Sequence, residues 1–362
     1  MNEFMQTRRA QHLKRQLLAT ASALTLIGFV TGAKASDDAP DHPLVWVELG
    51  GQFDREIDSA QTWTPPNRPL PLVQPPFEPF GRLPAVGYDW DGKVSIQPND
   101  SGWIFSAAIQ FGKAKRGPNS THDQANPSGY NIFGSQPAPP TYAFTNTHSV
   151  SDTSHLIVDF QAGKDLGLGL FGGHGSSSID FGIRLAHFTE SASGTMAAQV
   201  SAVHKYNGGV VHEGDIHAAR SFSGLGPSID WKTSLPLIGS QANGIAFDWG
   251  ANGAILFGRQ KTDVRLHTKV VRYGTGFSTT APPPSTVLAH TTSEPVRKKQ
   301  VIVPNIGGFA GLSYRAGGRA KVTLGYRADM FFGAIDGGIS TRKSENVGFS
   351  GPFASVSIGI GG

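Results

Sequence analysis

The chain has 362 residues, 38% hydrophobic and 16% charged, with 31 basic and 27 acidic side chains and no cysteine. The missing thiols exclude a disulfide scaffold, thiolate metal sites and cysteine catalysis. A formal net charge of +4 gives no electrostatic footprint for a nucleic-acid partner.

Residues 1–35 read as a secretory signal peptide. A basic stretch (Arg8, Arg9, Lys14, Arg15) precedes an apolar run from Leu17 to Val30, and Ala33-Lys34-Ala35 supplies a small-x-small cleavage site before Ser36. The apolar run falls short of the ~20 residues that a helical membrane span needs. Cleavage after Ala35 would remove five of the 31 basic and one of the 27 acidic residues, leaving 26 of each. Beyond this leader no segment approaches the roughly 18 continuous apolar residues of a transmembrane helix.

Strand signals fill the remainder, 36–362, which reads as one domain. Strands are predicted over Leu44–Asp54, Trp90–Gln97, Trp103–Lys113, His155–Lys164, Ser178–Thr189, Thr195–Tyr206, Asp215–Trp231, Gly244–Lys261, Thr262–Tyr273, Val301–Arg315, Lys321–Gly333 and Pro352–Gly361. Several alternate strictly. Trp103, Phe105, Ala107, Ile109 and Phe111 oppose Ile104, Ser106, Ala108, Gln110 and Gly112. Val322, Leu324, Tyr326, Ala328, Met330 and Phe332 oppose Lys321, Thr323, Gly325, Arg327 and Asp329. Successive side chains point to opposite faces of a strand, so these runs make one apolar and one polar surface. Repeated behind an export signal, the pattern predicts an all-β fold: a single transmembrane antiparallel β-barrel of outer-membrane type, with about twelve strands (10–14). The apolar set faces lipid in this reading, and the small and polar set faces the lumen.

Three segments break the pattern. Thr64–Pro84 carries eight prolines, which cannot donate to a ladder. Gly117–Tyr142 and Thr275–Arg297 are rich in Pro, Ser, Thr, Asn and Gly and read as long loops. With both ends of the barrel chain periplasmic, the two loops fall on the outside, and the proline-rich segment lies outside as well or folds back into the mouth.

The charged residues placed in the lumen are Arg184, Arg220, Arg315, Lys321 and Arg327 against Asp159, Asp180, Asp230, Asp248 and Asp329. This balanced set either lines a weakly selective pore or pairs into ion bridges that stiffen a closed wall. Of the twelve histidines, His212 and His217 flank Glu213 without HExxH spacing, and His187 falls on the lipid side, so no metal site is expected. No G-x-S-x-G elbow is present, and Gly167–Gly173 lacks the Lys-Ser/Thr of a phosphate loop, which leaves a glycine-rich hairpin. Trp46, Trp90, Trp103, Trp231 and Trp249 suit interfacial girdles. No catalytic residue, cofactor or enzymatic activity is expected.

Three stretches resemble the pore-forming outer membrane proteins similar to the Legionella major outer membrane protein. Gly224-Leu225-Gly226-Pro227-Ser228 with Phe257-Gly258-Arg259 is similar to that family's mid-barrel "GxGP…FGR" stretch. Gly325-Tyr326-Arg327-Ala328 followed by Gly351-Pro352-Phe353 resembles its C-terminal signature, and Gly182–Phe188 its "GxRxAxF" strand. The likeness covers about half of the expected mature chain, from near Ser178 onward. It implies a porin-like channel in the Gram-negative outer membrane for passive passage of small solutes. The expected partners are outer-membrane lipid, the barrel-assembly machinery and the solutes. Two other readings compete: a non-conducting structural or adhesive surface barrel that binds through its outer loops, and an outer-membrane enzyme acting on lipid.

Overall fold

The computed structural model describes residues 45–58, 86–98, 102–125, 143–165, 176–200, 210–239, 243–273, 285–293, 296–317, 319–338 and 342–360. The leader, the proline-rich 64–84 segment and the Gly167–Gly173 stretch lie outside them. Eleven strands make up this part: β1 (Val45–Asp58), β2 (Val86–Ile96), β3 (Trp103–Ala125), β4 (Ala143–Asp165), β5 (Ser176–Val200), β6 (Val210–Gly239), β7 (Gly244–Tyr273), β8 (Ser285–Ser293), β9 (Val296–Ala316), β10 (Ala320–Asp336) and β11 (Ser344–Ile360).

Each strand pairs antiparallel with its neighbours, and β11 pairs with β1, so the sheet closes on itself. β8 adds no new position to the ring. Both β8 and β9 pair with β7, and the register runs on from Asp263↔Val296 to Leu266↔Ser293 without a slip. The two segments follow one line along β7 and count as one wall strand. The barrel therefore has ten strands.

The expected twelve fall to ten because two strands were each divided. Ser178–Thr189 and Thr195–Tyr206 lie largely within β5, and Gly244–Lys261 and Thr262–Tyr273 are both β7. The divisions fall where the outer face turns polar, at Ser191 and Ser193 on β5 and at Lys261 and Asp263 on β7, while the hydrogen-bonded ladder continues unbroken. For the same reason β3 runs on through 117–125, and β8 occupies part of the loop expected over 275–297.

Following register partners around the ring from Trp46 leads through Ser95, Ser106, Gln161, Gly182, Ser228, Ala254, Asn305, Phe331 and Val347 back to β1 at Asp58. The circuit closes with a stagger of twelve residues. With ten strands, a rise of ~3.3 Å per residue and a spacing of ~4.8 Å, this shear tilts the strands by about 40° and sets a backbone radius of about 10 Å.

The ends of the barrel differ. At the base, where Val45 pairs with Ile360, hairpins 240–243 and 317–319 are short; at the rim, connections 59–85 and 126–142 are long. The wall is also taller on one side, since β3 to β7 have 23 to 30 residues against 11 to 17 for β1, β2, β10 and β11.

Large apolar side chains stand exposed on the outer face of every ring strand, among them Leu49, Trp90, Phe105, Phe160, Ile183, Leu225, Ile255, Leu312, Leu324 and Ile358. On β7 this belt runs from Ile245 to Phe257, which at the tilt above spans about 30 Å along the barrel axis, close to the ~30 Å of a bilayer hydrocarbon core. Val322, Leu324, Tyr326 and Phe332 face outward as expected, and Met330 on the same face is half-buried.

Candidate functional site

The lumen gathers the charged residues. All ten singled out by alternation lie on the inner face, and most are fastened to one another or to polar neighbours. Near the base, Lys232 bridges Asp180 at 2.9 Å and Asp230 at 3.6 Å. Lys321 of β10 reaches Asp248 of β7 at 2.5 Å, and Arg315 Nη2 donates to the Ser234 hydroxyl at 3.3 Å.

Above them Arg184, 5% exposed, acts as a hub. Its Nε and Nη2 donate to the two oxygens of Asp159 at 2.8 and 2.9 Å, and its Nη1 donates to the side-chain oxygens of Asn252, at 2.8 Å, and Asn305. Gln161 donates to Asp230. Arg327 Nη2 lies 3.5 Å from Asp91, and its guanidinium sits over the Phe353 ring at 4.9 Å. Asp329 is buried opposite Gly307 with the Asn252 amide close by. β5 is not a ring neighbour of β7 or β9, nor β10 of β2, so these bonds cross the lumen.

Higher up the interior becomes apolar, contrary to the expectation of a small and polar lining. Phe188, Phe222, Phe331, Phe349, Leu256, Val303, Ile157, Ala334 and Ile335 form one buried cluster. Phe188 packs edge-on to Phe331 at 4.6 Å, and His155 lies 3.8 Å from Phe349 while its Nε2 approaches Asp89 at 3.4 Å.

The rim end of β10 folds into this cluster. At Gly333 the backbone takes φ +66°, a conformation that disfavours side chains, and the β10–β11 register shifts between Phe331 and Ile335. The bulge breaks the alternation, so Ala334, Ile335 and Asp336 are all buried. This plug is tied to the wall on several sides. Gln260 donates to the Gly333 carbonyl at 2.7 Å, and Arg220 to the Gly337 carbonyl at 2.9 Å and to Glu190 at 3.0 Å. Arg297 Nε donates to Asp336 at 2.8 Å, and Asp336 in turn accepts from the backbone N–H groups of Gly338 and Lys343.

The stretches that carry the family resemblance supply this filling. Gly182–Phe188 contributes the Arg184 hub and the Phe188 ring. Gly224 and Gly258 are cross-strand partners, and a Cβ at either would strike the Phe222 ring; glycine leaves that space to the ring. The Arg327 guanidinium lies over the Phe353 ring, which joins the two halves of the C-terminal stretch.

Sequence reasoning missed several members of the lattice. Asp89 and Asp91 share the inner face of β2, one residue before and one after Trp90, and extending the predicted strand upstream would have caught Asp89. Lys232 continues the inward parity of Asp230. Arg297, Asp336, Asn252 and Asn305 carried no signal, because loop assignments or neutral amides hid them. His187 is exposed on the outer face as expected, its Nδ1 2.6 Å from the Ser223 hydroxyl.

No protein-family model and no curated protein matches the sequence. Among solved structures the chain is similar to the translocator domain of autotransporter NalP from Neisseria meningitidis, at 10% identity over 98% of this chain and 96% of that one, with a TM-score of 0.27. It is similar to the transport unit of the autotransporter AIDA-I from Escherichia coli at 7% identity, over 94% and 97% of the two chains, also with a TM-score of 0.27. A third similarity is to the toluene transporter TodX of P. putida, at 11% identity over 88% and 90%, with a TM-score of 0.17. With scores this low, the closed barrel is established by its own strand register.

Proposed function

We propose that this chain is an outer-membrane β-barrel whose lumen is closed by its own side chains, and which presents its tall rim wall and outer connections as a binding surface. The belt of exposed apolar side chains, about 30 Å high, supports residence in a bilayer, where only a closed barrel satisfies every backbone group of a β-structure. The observation that carries this reading is the stack of Arg184 lattice, phenylalanine cluster and plug, whose contacts join strands that are not neighbours in the ring.

A second reading, porin-like passage of small solutes, is favoured by the balanced charge of the lower lumen and by the resemblance to pore-forming proteins. It requires Gly333–Gly338 to leave the cluster. Planar-bilayer recording separates the two: a correctly folded wild type without ion steps supports the closed barrel, and reproducible single-channel steps support the porin.

A further inference from the structure

Immediately above the apolar belt, the outer face of the β7–β9 pair changes character within two residues. Phe257 and Ile302, 56% and 62% exposed, form the last apolar cross-strand pair. The next outward pair is Arg259↔Gln300, and the one after it is Lys261↔Lys298. All four are exposed. Among the described residues no carboxylate pairs with Arg259, Lys261 or Lys298; the nearby Asp263 is engaged by Arg265 at 3.9 Å.

Two lysines directly opposite each other on one face of an antiparallel ladder, with Cβ atoms ~4.5–5.5 Å apart, repel and destabilise the pair. An anion held between the ammonium groups removes that cost. A phosphate fits, since Lys meets it as a point charge and Arg by a two-pronged bond. The cluster stands at the rim end of the belt, the height at which lipid head groups meet the wall. We infer that Arg259, Lys261 and Lys298 form a site for a phosphate-bearing lipid head group of the outer leaflet, whose acyl chains run down the surface of Phe257, Ile302 and Ile255. This site rests on the bilayer reading above.

The test uses the full mature barrel in detergent micelles, with heat-modifiable migration as the control for folding. Native mass spectrometry measures retention of bis-phosphorylated lipid A, of its phosphate-free analogue, and of lipid A in the presence of millimolar inorganic phosphate. The wild type should retain the phosphorylated lipid at least tenfold better than the analogue. The triple variant Arg259→Gln, Lys261→Gln, Lys298→Gln should lose that preference, and Lys261→Arg with Lys298→Arg should keep it. Equal retention of the two lipids, or a triple variant that binds like the wild type, overturns the site while leaving the bilayer reading standing. Complete displacement by inorganic phosphate overturns the lipid assignment in favour of a free anion. A wild type that associates with neither lipid nor vesicles overturns both readings together.

Discussion

The outer belt can be tested by placing one charge in its middle and another above it on the same strand. Ile183, 50% exposed, sits centrally among the outward residues Ile179, Phe181, Ile183 and Leu185 of β5, beside the exposed Phe160 of β4. In lipid, Ile183→Arg should destabilise the barrel by about 2–4 kcal/mol, the cost of a midplane cation on the lipid face of a barrel. Ser191 lies eight residues further along the same face, about 20 Å higher at the tilt derived from the register, and so beyond the belt. Ser191→Arg should therefore cost no more than about 1 kcal/mol. Reversible urea unfolding from lipid vesicles, followed by tryptophan fluorescence, measures both. If the outer face met water, neither substitution would matter, because exposed apolar side chains in water lose little on replacement by Arg. Equal costs at the two positions, or an Ile183→Arg variant within about 0.5 kcal/mol of the wild type, would refute the membrane belt.

Arg184→Met should destabilise by about 3–5 kcal/mol in the same assay, because it leaves Asp159 as a buried charge without its cation; adding Asp159→Leu should recover part of the loss. Gly333→Ala should cost about 1–2 kcal/mol, since alanine is strained at positive φ and its Cβ would lie 2.7 Å from the Ser344 hydroxyl. Arg297→Ala combined with Arg220→Ala cuts two ties of the plug to the wall. Ion steps in planar bilayers should then appear or become more frequent than in the wild type, and an equally silent, correctly folded double variant would show that the phenylalanine cluster closes the lumen without them.

Within the belt the fold was legible, and outside it the signal faded. Alternation is visible where one face meets lipid and the other the lumen, so β1, β3, β10 and β11 were placed within a few residues at most of their ends. Beyond the belt the outer face of β5 carries Ser191 and Ser193, and that of β7 carries Lys261, Asp263 and Arg265. There the outward apolar residues are gone, and a strand reads like a turn. The ladder continues regardless, because hydrogen bonding between backbones does not depend on which side chains stand outside.

The inward charges were legible from parity alone, but their partners were not, because parity gives a face without a distance. Whether Arg184 lines a pore or locks onto Asn252 and Asn305 across it depends on barrel radius, and radius depends on strand number and shear together. A count of about twelve implies a wider lumen, in which a balanced set of charges either stays solvated along the wall or pairs into bridges. Ten strands with a stagger of twelve residues give a radius of about 10 Å. At that radius, phenylalanine and arginine side chains from opposite walls meet near the axis. The same inner face that reads as a weakly selective pore in the wider barrel becomes a packed interior in the narrower one. The glycines at 224 and 258 follow from this crowding, since at this radius the wall itself must recede to admit the Phe222 ring.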